Sequence, residues 1–212
     1  MISPFRALLL SCLLATGSCK VSELKPISFP TDYRPEGSAG AVTVVPACAV
    51  YREFTVLDER PEKHNAGIRT IQDKPDRSDI FVEGDVAAWF RAGVERGLAL
   101  AQFPQDPAAK LDLTFKLTGI HIEEIAYRNS TFEGRVVIDI ELREPGSSGD
   151  VWTDRADGTA ENYGSPGNPE NYQETVNHAL DRAVASALNN AELRSRLCGT
   201  TSRAQVGARG SH

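Results

Sequence analysis

Excess positive charge is the first thing this sequence lacks. Its 212 residues hold 23 Lys and Arg against 29 Asp and Glu, a net charge of −6. Nucleic-acid binding needs clustered Lys and Arg, so DNA and RNA are excluded as partners. An acidic chain also gains nothing from anionic lipid head groups. The apolar run that opens the chain, Ala7–Ala15, is nine residues long. Spanning a bilayer takes about 20, so this run does not cross one. Metal and catalytic signatures are missing too. His64, His121, His178 and His212 lie in different elements, none with a second His or Cys at ligand spacing, so no metal and no cofactor is expected. No Gly-rich phosphate loop, Gly-x-Ser-x-Gly elbow or His-Glu-x-x-His stretch occurs. A calcium loop with Gly158 at its sixth position would put Thr153 first and Gly164 twelfth, where carboxylates are required. Glu123 and Glu124 are adjacent in a strand and so face opposite sides, which prevents them from sharing a proton. The chain is therefore read as non-enzymatic.

What is present begins with an address. One cation, Arg6, precedes the short apolar run, and small residues follow it: an export signal. Thr16-Gly17-Ser18-Cys19 looks like a bacterial lipobox, in which the Cys becomes the first mature residue and carries lipid on its sulfur. Thr16 stands where an aliphatic residue is usual. Cys12, inside the apolar run, fits less well. The alternative is ordinary cleavage near Ala15-Thr16-Gly17, which leaves Cys19 a free thiol. Lipidation would supply what charge cannot: each buried CH₂ contributes about 0.8 kcal/mol, and two or more acyl chains anchor stably. Lys20 follows the Cys, where Asp would suggest retention at the inner membrane. The other two cysteines, Cys48 and Cys198, can pair in an oxidising compartment; the alternative is two unrelated thiols.

The chain then divides into four parts: a lipoprotein signal peptide (1–18), a lipid anchor and flexible tether rich in Pro and Gly (19–40), a folded domain (41–199) and a disordered polar tail (200–212). Within the domain, Val42–Val45 suggests a short edge strand and Val50–Leu57 a longer one. Residues 60–80 are polar and turn-rich and read as a long loop that includes a short strand at Gly67–Ile71. Val86, Trp89, Phe90, Val94, Leu98 and Ala101 recur at helical spacing after Asp85, a candidate N-cap. Gly93 and Gly97, four apart, suit close packing of that helix on a sheet.

Leu111 to Leu117 alternate with polar residues, the phase flips after Gly119, and Phe132 to Leu142 alternate again. Asn129-Ser130-Thr131 reads only as a turn. Val151–Asn162 returns as a third, less regular strand. Asn168 and Pro169 start a helix whose apolar stripe runs from Tyr172 to Leu188. The expected fold is α+β: a two-layer sandwich of a mostly antiparallel four-stranded sheet with two helices packed on one face. Thr114, Lys116, His121, Glu123, Asp139 and Glu141 would lie on the open face.

"FTVLDERPEK", "EGDVAAWFRAGVERGLALAQF", the two long alternating strands and "NYQETVNHALDRAVASALNNAELRSRL" resemble the YajG-type family of small bacterial lipoproteins. The resemblance covers about Val50 to Leu197 and includes an Asp-x-Arg-Pro-like turn after the first strand. The sequence departs from the pattern at Gln102, before Phe103, and in the long loop His64–Ser78. The resemblance implies an envelope lipoprotein and supplies no catalytic residues.

Two roles follow as expectations. The first is a lipid-anchored envelope lipoprotein. Cys19 holds it to a membrane, the outer one favoured, and its periplasmic domain meets an envelope protein partner. The alternative is an auxiliary subunit of an envelope transport system, taking lipid or another apolar ligand in a pocket lined by Trp89, Phe90 and Phe115. Trp89 and Trp152 also suit plain core packing.

Overall fold

The structure is a computed structural model describing residues 24–35, 42–126, 129–146 and 151–206. Its frame is the antiparallel meander of β5 (Asp112–Ala126), β6 (Ser130–Arg143) and β7 (Trp152–Gly164). In β5, Leu113, Phe115 and Leu117 point into the core. The register then shifts between Leu117 and Gly119, where a bulge moves the inward phase to Ile122, Glu124 and Ala126. Strand β6 keeps one phase throughout, burying Phe132, Val136, Ile138, Ile140 and Leu142. The inward phase of β7 is Ala156, Gly158 and Ala160. These small residues make the strand look irregular in sequence, and they let a helix backbone press against it. A Cβ on Gly158 would stand 2.2 Å from the Ala179 carbonyl oxygen and 2.2 Å from the Ala183 nitrogen.

The expected four-stranded antiparallel sheet with two helices is not what forms. Among the described residues the sheet has seven strands, is mixed, and is accompanied by three helices. Strands β2 (Phe54–Asp58) and β3 (Asn65–Ile71) lie end to end along one edge of β5, both parallel to it. Between them the chain turns through a lock of charges. Arg60 donates to both carboxylate oxygens of Asp58, each at 2.9 Å, and to the Lys63 carbonyl at 3.1 Å. Lys63 Nζ returns to the Asp58 carbonyl at 2.6 Å. The Asp-x-Arg-Pro turn is therefore structural. Strand β4 (Arg77–Glu83) runs antiparallel to β3, and β1 (Ile27–Pro30) forms the outer edge, parallel to β4.

Both β1 and β4 fall in stretches read as tether and loop, for a physical reason. Each places few apolar residues inward: Phe29 in β1, and Ile80 and Val82 in β4. Turn formers flank both, so the period-two signal is short. The parallel pairings depend on partners more than 40 residues away in sequence, beyond any local pattern. Val42–Val45 is not a strand; the Val45 N–H instead donates to the Ala101 carbonyl at 2.9 Å.

Helix α1 (Val86–Ala101) starts at Asp85, whose side chain accepts from the Ala88 N–H at 2.9 Å, as an N-cap does. It ends at Gln102 in the left-handed conformation. Helix α2 (Pro169–Leu188) starts at Asn168 with Pro169 in its first turn. The α1 glycines serve contact between helices rather than contact with the sheet. A Cβ on Gly93 would meet Leu180 at 2.5 Å, and one on Gly97 would meet Val184 at 2.3 Å. Helix α3 (Ala191–Val206) extends the short final segment expected after Asn190. Leu193 and Leu197 enter the core, and Cys198 is bonded to Cys48 across 150 residues. In the chain-entropy account a loop of that size contributes roughly 5 kcal/mol.

Gly158→Ala is expected to lose at least about 2 kcal/mol, because the new methyl meets helix backbone that cannot step aside. Gly119→Ala, whose Cβ would have ordinary contacts of 3.5 Å with Val137, should cost less. Urea denaturation of the two variants checks the ordering.

Candidate functional site

In the second half of β5 one inward residue is a carboxylate. Glu124 is fully buried. A charge at that depth costs several kcal/mol unless its oxygens are satisfied. Four donors satisfy them. Oε1 accepts from Ser130 Oγ at 2.6 Å and from the Gly167 N–H at 2.9 Å. Oε2 accepts from the Tyr172 hydroxyl and from Arg69 Nε, which also supplies the opposite charge. Arg69 NH1 then donates to the Lys25 carbonyl at 3.3 Å. Burial pushes the Glu124 carboxyl up. The bonds from Ser130, Tyr172 and Arg69, with the Arg69 charge, outweigh it and hold the group below the usual carboxylate range. Burial, with the bond to Glu124, drives the Tyr172 phenol far above its ordinary value.

A second fastening lies close by in the chain. The Tyr33 hydroxyl donates to Asp181, while Gln173 and Asn177 donate to the Asp32 carbonyl at 3.1 and 3.3 Å. These bonds strap the segment after β1 onto α2. A general acid or base must reach a substrate proton. Glu124 is sealed from solvent with both oxygens engaged, so its geometry is that of a fastener.

The open face of the sheet divides into two zones. Toward the start of β5 its charges are paired. Lys116 and Arg143 meet Glu141 at 3.0 and 2.9 Å, and Arg155 grips both oxygens of Asp139 at 2.6 and 3.0 Å. Toward the end of β5, Glu123, Glu133 and Glu161 stand directly opposite one another across three strands. With His121, Arg135 and Thr159 they line an open depression of about 600 Å³. Like charges opposed in this way work against folding, and Arg135 and Arg182, which line the same depression, offset part of that repulsion.

A depression of about 580 Å³ at the start of α1 is lined by Asp58, Glu83 and Asp85 against Arg60 and Lys63. That balance, with Asp85 already capping the helix, does not suit an anion. Among the described residues, no group of three His, Cys, Asp or Glu could hold a metal. Among them, too, no helix is long and apolar enough to cross a membrane.

The remaining sequence candidates are dispersed. Cys19 lies outside the described residues, as does His212. Cys48 and Cys198 are joined in a disulfide. Trp89, Phe90 and Phe115 are packed into the hydrophobic core, and the Trp89 indole donates to Asn177 at 2.7 Å. Their surfaces are spent on packing, which does not favour the apolar-ligand reading. His121 is exposed on the open face, His64 precedes β3, and His178 lies within α2, half-buried. The Glu124 cluster escaped the sequence reading, although a signal existed: Glu124 shares the phase of Ile122 and Ala126, where a strand buries its residues.

No protein-family model and no curated protein matches the chain. Among solved structures it is similar to a DUF330 protein from Xanthomonas campestris. The two share 10% identity over 86% of this chain and 99% of the other, with a TM-score of 0.40. It is also similar to a lipoprotein candidate from Caulobacter crescentus, with 22% identity over 57% and 86% of the two chains and a TM-score of 0.35. A third, described as an uncharacterized protein, shares 11% identity over 82% and 97%, with a TM-score of 0.30. These scores assign no family to the chain, and the YajG-type name occurs in none of the three.

Glu124→Gln removes one member of a buried ion pair and should cost about 3 kcal/mol. Because the folded carboxyl titrates below its unfolded value, the stabilisation is complete above about pH 5. It fades as pH falls through the depressed folded value, so the gap between wild type and variant should narrow in acid. Glu133→Gln relieves the centre of the carboxylate row and should gain roughly 0.5 kcal/mol at low salt, less in 1 M salt. Denaturant titrations across pH and salt measure both.

Proposed function

We propose that this chain is an envelope lipoprotein. Lipid on Cys19 holds it to a membrane, and its α+β domain meets a protein partner without catalysing a reaction. The observation that carries this reading is Thr16-Gly17-Ser18-Cys19 at the end of a nine-residue apolar run. That run is too short to span and is placed as an export signal. The Cys48–Cys198 disulfide supports it, since such bonds persist in oxidising compartments. Lys20, rather than Asp, after the anchor Cys favours the outer membrane. The non-catalytic reading draws support from the burial of Glu124 in bonds to Ser130, Gly167, Tyr172 and Arg69. Two or three acyl chains suffice for stable anchoring without help from charge.

Cys19→Ser should move the protein from the washed membrane pellet to the soluble fraction. Intact mass of the native protein should equal Cys19 to His212 plus a diacylglyceryl and an acyl group. Persistence of the variant in the pellet, or a mass lacking lipid, would overturn the reading.

A further inference from the structure

Five residue steps separate Cys19 from Leu24, the first described residue. Whatever their conformation, they reach at most about 18 Å. The chain then enters the fold at one end of the sheet. Lys25 is bonded to Arg69, and Ile27 pairs with Ile80. A Cβ on Gly167, in the loop before α2, would lie 3.1 Å from Ile27. That end gathers the turn at 72–76, the close of β5, the start of β6 and the close of β7. Ile125, Thr131 and Tyr163 are aligned there across three strands, with Ile125 38% and Tyr163 68% exposed. The opposite end carries the start of β5 and the final turns of α2. It lies about 45 Å away along the 15 residues of β5.

Resting on the lipidation of Cys19, we propose that the Ile125–Tyr163 end of the sheet is the domain's membrane-facing surface, its occupant being the bilayer that holds the anchor. An 18 Å leash cannot bring the opposite end to the lipid while Leu24 stays at this one. Tyr163 and Ile125 present an amphipathic ring and an apolar side chain at the height where such groups prefer a membrane interface. Both residues share the open face with the carboxylate row Glu123–Glu133–Glu161, two residues along each strand, and the Tyr163 hydroxyl donates to Glu161, so it is the short leash that selects this end. The sheet therefore stands on its end.

The test uses the acylated full chain, extracted from its own envelope and placed in phosphatidylethanolamine–phosphatidylglycerol vesicles carrying a head-group acceptor dye. Lys74→Cys and Glu144→Cys each introduce a reactive thiol for a donor dye, since Cys19 bears lipid and Cys48 and Cys198 are bonded. Flotation with the vesicles, and energy transfer from position 74 at least about twofold that from position 144, is the expected result, because β5 separates the two sites. Flotation with equal or reversed transfer overturns the orientation and leaves the anchor standing. Failure to float overturns the anchor, and the orientation with it.

Discussion

A single buried charge pair holds together parts of the chain that are far apart in sequence. Glu124 lies on β5, Arg69 on β3, Ser130 opens β6, Gly167 precedes α2 and Tyr172 belongs to it. Through Arg69 the pair also reaches Lys25, just before the edge strand. Hydrophobic burial brings these elements together but is indifferent to small slips. A carboxylate with four directed donors is not, since a slip of one residue would leave a charge buried without partners. The register of β3 on β5, and the angle at which α2 leaves the sheet, are therefore set at this point. The rest of the architecture is built around it.

The two ends of the domain are secured by different means. At one end the fastening is polar, Glu124 with its donors and Tyr33 with Asp181. At the other it is covalent, the bond that ties α3 to the segment before Tyr51. Between them the helices rest on glycine and alanine. Gly93 and Gly97 admit α2 against α1, and Gly158 admits α2 against β7. Close packing of this kind gains dispersion energy and leaves little free volume. Trp89, Phe90 and Phe115 accordingly act as core side chains.

Much of this was legible in the sequence, and the rest was hidden for definite reasons. The alternation in β5 and β6, the bulge at Gly119, the caps Asp85 and Asn168, and the stripe of α2 follow from short-range periodicity, and the fold contains all of them. Strands β1 and β4 were not legible because each buries only one or two large apolar residues amid turn formers. Parallel pairing of β2 and β3 with β5 is a tertiary outcome that no local pattern encodes. The site was legible by halves. Glu123 and Glu124 were placed on opposite faces, but the partners of the inward one, Arg69 and Tyr172, lie 55 and 48 residues away in sequence, beyond any local pattern.

The placement of β1 has a mechanical consequence. The strand begins at the end of the sheet where the chain enters and runs away from it, parallel to β4. A pull on the N-terminal segment is directed along the strand axis. It loads the β1–β4 hydrogen bonds together, in shear, instead of peeling them one at a time. Thr31, which donates from both its backbone N–H and its hydroxyl to the Glu83 carbonyl, extends that resistance beyond the strand. A pull arriving through the N-terminal segment thus meets the geometry in which a short strand bears tension best.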